Sequence, residues 1–212
     1  MNSNQLTVLY CTSNREDESF EKKIRGKLLE VIGDHPLISV SQKPIDFGHN
    51  ICVGDVGSSY RNWYIQLHMA AKLATTEYVA VAEADQLYPP GYFDFHPQND
   101  LYMNRDLWVL KWWDKNHFRK KEWGDATVIV RRSFFISRLE LKLDGNLNWG
   151  TSKVGTIFYK RTWNHFDAGA PVITVKTKNN ISKNTGTMEG VEPVTKLPYW
   201  GSAAKLSQFL NL

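Results

Sequence analysis

Glu77-Tyr78-Val79-Ala80-Val81-Ala82-Glu83-Ala84-Asp85 is the stretch that decides the fold. Its apolar, β-branched run reads as a buried strand, and it stops in two carboxylates one residue apart. Residues i and i+2 of an extended chain point the same way, so Glu83 and Asp85 are expected to converge on one hard cation just past the strand end. Gln86-Leu87-Tyr88-Pro89-Pro90-Gly91 then breaks the strand. In an open α/β sheet, ligands bind beyond the carboxyl ends of the strands. Two acids there cost repulsion and desolvation unless something positive lies between them. The bland alternative is a solvated strand end; the α/β units that precede the stretch favour a metal site.

Upstream, residues 6–11 read as a first strand and Thr12-Ser13-Asn14 as a polar turn. Residues 19–32 carry Phe20, Ile24, Leu28, Leu29 and Ile32 at helical spacing, closed by Gly33 and Pro36. Residues 37–41 form a second strand, 42–58 a loop bearing Asp46 and Asp55, and 59–73 a second helix. This alternation predicts a parallel sheet with right-handed crossovers. Downstream the pattern is less regular. Strands are expected within 106–113, over 125–130 and over 171–175. An amphipathic helix runs through Leu143, and a short terminal helix follows Pro198-Tyr199-Trp200-Gly201.

The chain has 212 residues, enough for one domain with a sizeable core. Its net charge of +4 permits a polyanionic or phosphorylated partner without requiring one. Cys11 and Cys52 lack metal-ligand spacing, which fits a reduced, cytoplasmic setting. No basic segment leads into a long apolar run, so neither a signal peptide nor stable membrane insertion is expected. Lys111, Lys115, Arg119, Lys120 and Lys121 interleave with Trp112, Trp113, His117, Phe118 and Trp123. Such a segment is either a partly buried aromatic cluster with a basic rim or a surface that stacks sugars or bases and meets phosphates. Residues 176–183 place three lysines among Asn and Thr, as in a flexible loop, a lid over a diphosphate or a nucleic-acid contact.

Four stretches together resemble the GT-A glycosyltransferases, most nearly family two and its small phage and bacterial relatives. They are Thr7-Val8-Leu9-Tyr10-Cys11-Thr12-Ser13-Asn14, Gly57-Ser58-Ser59-Tyr60-Arg61-Asn62, Glu83-Ala84-Asp85, and Asp125-Ala126-Thr127-Val128-Ile129-Val130-Arg131-Arg132-Ser133. The resemblance implies an α/β fold of GT-A type, with a Rossmann-like, mostly parallel sheet flanked by helices and an irregular acceptor-side second half. It implies one domain over 1–212, with a nucleotide-sugar half (1–90) and an acceptor half (91–212). It implies that Thr12, Ser13 and Asn14 cradle the uracil and ribose, and that Asp46 and Arg61 join them. Glu83 and Asp85 would hold Mn²⁺ or Mg²⁺ on the donor diphosphate. Trp112, Trp113, Arg131 and Arg132 would face the acceptor, and Asp125 or Asp144 would act as base if the reaction inverts the anomeric carbon. Two features depart from the family: the first acid is Glu, and no His stands near Thr177-Lys178-Asn179-Asn180, where relatives carry a His-Gly. Either the metal has fewer protein ligands, with His165 a distant substitute, or Lys176 and Lys178 hold the phosphates directly.

The function implied is a metal-dependent transferase that moves a sugar from a UDP-sugar to an acceptor hydroxyl. The acceptor expected is a hydroxymethylated pyrimidine in double-stranded phage DNA, which places the protein in the host cytoplasm. A saccharide or lipid-linked acceptor is one alternative. Another is a non-catalytic sugar- or nucleic-acid-binding module, since a fold does not dictate an activity.

Overall fold

The structure is a computed structural model that describes residues 6–122, 124, 127–145, 164–181 and 186–212. Its first half runs β1 (Leu6–Cys11), α1 (Glu18–Leu29), β2 (Leu37–Ser41), β3 (His49–Cys52), α2 (Tyr60–Leu73), β4 (Tyr78–Glu83) and β5 (Gln86–Leu87). The second half runs β6 (Leu101–Asn104), β7 (Leu107–Lys111), β8 (Asp114–Lys120), β9 (Val128–Arg131), α3 (Arg132–Leu143), β10 (Asn164–Phe166), β11 (Val172–Lys176), β12 (Lys196–Leu197), β13 (Gly201–Ser202) and α4 (Ala203–Leu210).

Seven strands form the main sheet in the order β10-β6-β9-β4-β1-β2-β3. β3, β2, β1 and β4 are mutually parallel; β9 alone runs against its neighbours β4 and β6. A second sheet, β5-β11-β7-β8, stands beside it. This is the mixed α/β, mostly parallel architecture expected from the alternating pattern of the first half.

Alternation sorts β1 and β4 between two cores. Leu9, Cys11, Val79 and Val81 face α2 and α3, against Leu67, Ala70, Ala71, Phe135 and Leu139. Leu6, Val8, Tyr10, Tyr78, Ala80 and Ala82 face the other way, against Leu28, Ile32, Tyr88, Tyr92 and Phe93. Both faces are covered, which is why these strands read as continuous apolar runs. Helix starts are set by side chains: Asp17 accepts from Ser19 N ahead of α1, and Ser59 accepts from Asn62 N ahead of α2. A third core lies between α1, α4 and the second sheet, built on Phe20, Ile24, Leu110, Phe118, Val175 and Leu206.

Strands β3, β5, β6, β8, β10, β12 and β13 depart from the sequence reading. The expected loop over 42–58 contains β3, a half-exposed edge strand of His-Asn-Ile-Cys with little apolar signal. β6, only four residues long, lies in a stretch read as irregular. β8 is nearly all polar and is held as a strand by pairing with β7, with Phe118 its one fully buried side chain. No helix among the described residues is long and apolar enough to cross a membrane.

Gly48 makes the turn into β3 possible. Its φ is +62°, and a Cβ there would overlap the Leu37 carbonyl oxygen and side chain. Gly48→Ala is therefore expected to cost about 2 kcal/mol or more, from left-handed strain plus the clash. Urea unfolding measures it; an unchanged midpoint would mean that the turn relaxes freely.

Candidate active site

The six-residue parallel register of β1 on β4 ends with Cys11 opposite Glu83. Both carboxyl ends therefore open at one level, into a cleft of about 180 Å³. Thr12 and Ser13 come from the tip of β1, and Glu83, Ala84 and Asp85 from the tip of β4. One wall is the start of α2, with Ser58, Ser59, Tyr60, Asn62, Trp63 and Gln66. The facing wall carries Lys121, Thr174, Lys176, Asn179 and Asn180, and Arg15 and Glu16 sit at the β1–α1 turn.

The strand ends at Glu83, and Ala84 and Asp85 form a turn into β5. The two acids thus meet the cleft through a tight turn, not through the pleat of an extended strand. Glu83 Oε2 accepts from Gln86 Nε2 at 3.3 Å. Asp85 Oδ2 accepts from Asn180 Nδ2 at 2.7 Å, and the Asp85 carbonyl accepts from Val175 N at 2.7 Å. Asn180 stands in the segment where a His was looked for, so an amide meets the acid pair there.

Two further acids border the cleft. Burial raises the Glu16 carboxyl above its ordinary value; its partner is the Thr177 hydroxyl, 2.7 Å from both carboxylate oxygens. Glu21 is almost wholly enclosed, and burial lifts its pKa to about 7, although the Thr12 hydroxyl bond and Arg25 pull it down. Thr12 Oγ1 donates to Glu21 at 2.8 Å and accepts from Asn14 N at 2.9 Å. Arg25 reaches Glu21 at 3.1 Å and Glu18 at 2.5 Å. Glu21 and Arg25 lie four residues apart among Ile24 and Leu28, on the buried side of α1. That charged pair inside an apolar stripe was the available sign of a polar floor.

The donor set suits a hard cation only in part. Among the described residues no group of three or more His, Cys, Asp or Glu forms a metal cluster. Two carboxylates at a cleft fit Mg²⁺ or Mn²⁺ that arrives with a diphosphate, because such ions keep water and phosphate oxygens as their remaining ligands.

No protein-family model matches this sequence, and no curated protein does. Solved structures do. The apo-form glycosyltransferase GlyE of Streptococcus pneumoniae TIGR4 superposes with a TM-score of 0.51 at 10% identity, over 78% of this chain and 46% of that one. S. aureus TarS 1–349 in complex with UDP-GlcNAc superposes with a TM-score of 0.50 at 11% identity, over 83% of this chain and 60% of that one. The chain has a GT-A-like fold, shared with these two structures. It spans roughly half the length of these two structures. The inositol-1-phosphate CTP transferase of T. maritima shares the architecture too, with a TM-score of 0.53 at 9% identity over 86% of this chain and 93% of that one. At such identities the likeness concerns the fold alone.

The GT-A-like cleft brings together five of the residues singled out from the sequence: Thr12, Ser13, Glu83, Asp85 and Lys176. Asn14 is close but occupied. Its Oδ1 accepts from Gln42 N at 2.8 Å and Lys43 N at 2.9 Å, stapling the β1 tip to the β2 tip with its own φ at +50°. Asp46 and Arg61 are exposed and outside the cleft lining. Lys178 lies over the Trp112 ring at 4.9 Å, and Trp112 N donates to Lys176 O at 2.9 Å, so this hairpin tip stands at the cleft rim. Trp113 is exposed beside Lys111, whose Nζ is 5.6 Å from its ring.

Arg131 and Arg132 are not at the acceptor side of the cleft. β9 is antiparallel to β4, so Arg131 pairs with Tyr78, five residues and about 16 Å from Glu83. There Arg131 binds Glu77, Asp100 (2.8 Å) and the Tyr78 hydroxyl (2.7 Å), and Arg132 donates to Thr76 O at 3.0 Å. Asp125 lies outside the described residues. Asp144 caps the C-terminal end of α3, exposed and off the cleft lining, and His165 sits on β10 at the sheet's far edge. Most of the basic segment around β8 is spent internally. Asp114 holds His117 (2.8 Å) and Arg119 (3.0 Å), Asp106 holds Lys120 (2.6 Å), and Lys115 binds the Leu212 carbonyl. Lys121 is the exception in placement: it is 7% exposed, lines the cleft and approaches Thr174 Oγ1 at 3.4 Å.

Glu21 gives this floor a pH signature. Its folded pKa lies above its ordinary value of 4.5, at about 7, so the folded chain holds the proton longer than the unfolded one. Stability from this group is complete below about 4.5 and is lost as pH rises through about 7. Urea unfolding from pH 5 to 8 is expected to show that decline, and Glu21→Gln is expected to flatten it. An equally steep decline in the variant would place its origin elsewhere.

Proposed function

We propose that this chain is a glycosyltransferase that transfers a sugar from a UDP-sugar to an acceptor hydroxyl. The observation that carries the reading is the pair Glu83 and Asp85, set at the carboxyl ends of parallel strands and facing a wall with two buried lysines, Lys121 and Lys176. A UDP-GlcNAc complex of a structure with the same fold supports a UDP-sugar as donor. In the reaction the bond from the anomeric carbon to the diphosphate oxygen breaks, and UDP leaves with the electron pair. The acceptor oxygen bonds to the anomeric carbon and gives up its proton.

Glu83 and Asp85 would hold Mn²⁺ or Mg²⁺, which when bound neutralises charge on the departing diphosphate. Lys176, and Lys121 beside it, add fixed positive charge in a partly dehydrated cleft, where it acts most strongly on developing negative charge. Asp144 lies off the cleft, which leaves Asp125, next in sequence to the cleft residue Gly124, as the proposed base. For the acceptor, the rim formed by Trp112, Trp113, Lys111 and Lys178 suits a flat ring close to phosphate, as in a hydroxymethylated pyrimidine exposed from DNA. The internal pairing of Arg119, Lys120 and Lys115 leaves less basic surface for a duplex than composition suggested, which favours a saccharide acceptor as the second choice.

One observation favours a different chemistry. The CTP transferase match covers nearly all of that chain, so nucleotidyl transfer to a sugar phosphate is the competing reading. A single set of incubations with Mn²⁺ decides. UDP-sugars are offered with hydroxymethylcytosine-containing duplex DNA and with oligosaccharides, and CTP or UTP with sugar phosphates. A hexose or pentose mass increment with UDP release is expected; pyrophosphate release from the nucleoside triphosphates alone would replace sugar transfer with nucleotidyl transfer. Glu83→Ala and Asp85→Ala are each expected to lower turnover about a thousandfold, the scale of several kcal/mol of charge stabilisation, with melting temperature little changed. Full activity in both variants would remove the metal assignment.

A further inference from the structure

The α2 wall of the cleft contains three buried polar atoms without a hydrogen-bond partner among the described residues: Ser58 Oγ, Trp63 Nε1 and Gln66 Nε2. All three residues line the cleft, and Gln66 is only 4% exposed. Trp63 and Gln66 are three apart on α2 and so share one helical face. A buried donor left unpaired carries the full desolvation penalty, and native chains tolerate few of them. Three on one wall of one cleft point to a ligand that supplies the missing acceptors.

The chemistry of the wall narrows that ligand. An indole N–H only donates, and an amide nitrogen only donates. Ser58, Tyr60, Asn62, Trp63 and Gln66 carry no charge, whereas the facing wall has Lys121 and Lys176. Phosphates therefore belong to the lysine side. A neutral, planar group with carbonyl oxygens belongs to the α2 side, where the Tyr60 and Trp63 rings also offer flat apolar surface. At the β1 tip, two of the three polar side chains, those of Thr12 and Asn14, are already engaged, and Ser13 is the third at the cleft. The Thr12 hydroxyl is held by Glu21 and Asn14, and the Asn14 side chain by Gln42 and Lys43.

We propose that Trp63 and Gln66, with Ser58 beside them, read the carbonyl oxygens of the nucleobase and select uracil over cytosine. The inference rests on the UDP-sugar reading above and adds which residues choose the base. Uracil presents a carbonyl acceptor at C4, where cytosine presents an amino donor. The Trp63 indole, which can only donate, loses its bond to that amino group and leaves both desolvated, the situation in which polar sites discriminate most strongly, whereas the Gln66 amide can turn its oxygen toward it. Base entry turns the Gln66 amide and the Trp63 indole edge onto the ring carbonyls and satisfies atoms that the fold alone leaves unpaired.

Binding of UDP and CDP, without any sugar, is measured calorimetrically in Mn²⁺ for the parent chain, Gln66→Leu and Trp63→Phe. The parent is expected to prefer UDP at least about tenfold, each variant to weaken UDP about tenfold, and Trp63→Phe to bring the two nucleotides toward parity. Gln66→Leu is also expected to raise the melting temperature by about 2–4 °C, because it removes an unpaired amide from the interior. Unchanged UDP affinity, or an unchanged UDP-to-CDP ratio, in both variants would overturn the assignment. So would variants that bind UDP normally but lose affinity for UDP-sugars, since the wall would then read the sugar. A parent chain that binds neither nucleotide would overturn the donor reading itself, and this inference with it.

Discussion

Leu6 opposite Tyr78 through Cys11 opposite Glu83, six successive pairs, lock β1 to β4 in parallel. Both strands are buried on both faces, with alternate residues committed to separate cores. A slip of one residue would send Val79 and Val81 into the core that holds Tyr78 and Ala82, and Tyr10 into the one that holds Leu9. Each core would lose its fit at once, so the register is fixed twice over. That rigidity is what brings the tip of β1 and the tip of β4 to the same level, and with them Thr12 and the acid pair. Glu83 is held by this register directly, and Asp85 by the turn that follows it into β5.

Clustering acids at a dehydrated rim is costly, and the partners that offset the cost come from distant parts of the chain. Asn180, 95 residues from Asp85, donates to it; Thr177, 161 residues from Glu16, donates to that carboxylate. Thr12 and Arg25 serve Glu21 from either side. The cleft is therefore completed only when the second sheet has docked beside the first. Until β11 and the segment after it are in place, Asp85 has neither the Asn180 amide nor the Val175 N–H on its carbonyl. The acid site and the second half of the fold are coupled in this way, although the sequence signals for them lie far apart along the chain.

What the sequence made legible follows from which interactions are local. β1, α1, β2, α2 and β4 announce themselves through apolar period, caps and breakers, and their alternation gave the parallel sheet. Glu83 and Asp85 were visible as a pair because a buried strand rarely ends so abruptly in charge. β3 and β8 were hidden because their stability lies in pairing with β2 and β7, not in their own composition. Arg131 and Arg132 were misplaced for a topological reason: nothing in Val128–Arg131 shows that it runs against β4, and reversing a strand moves its end to the opposite side of the molecule. Gln66 and Trp63 read as ordinary members of an amphipathic helix. Only the three-dimensional account of their partners sets them apart.

The same architecture carries a glycosyltransferase and an inositol-1-phosphate CTP transferase, so the part they share cannot be what distinguishes them. Carboxylates and lysines around a phosphate chain serve any nucleotide, because every nucleotide presents the same phosphates. Discrimination has to come from uncharged groups placed where the nucleotides differ, most sharply from one of fixed donor character such as the Trp63 indole. In this cleft Lys121 and Lys176 lie on one wall, and the unpaired groups of Ser58, Trp63 and Gln66 on the α2 wall. These three groups, unlike the Asn62 amide, find no partner in the fold among the described residues. Unpaired polar atoms at Ser58, Trp63 and Gln66 lower the stability of the free chain. Leucine at position 66 would pack without that penalty, so what the glutamine contributes has to be sought in the occupied cleft, where local stability is given up for recognition.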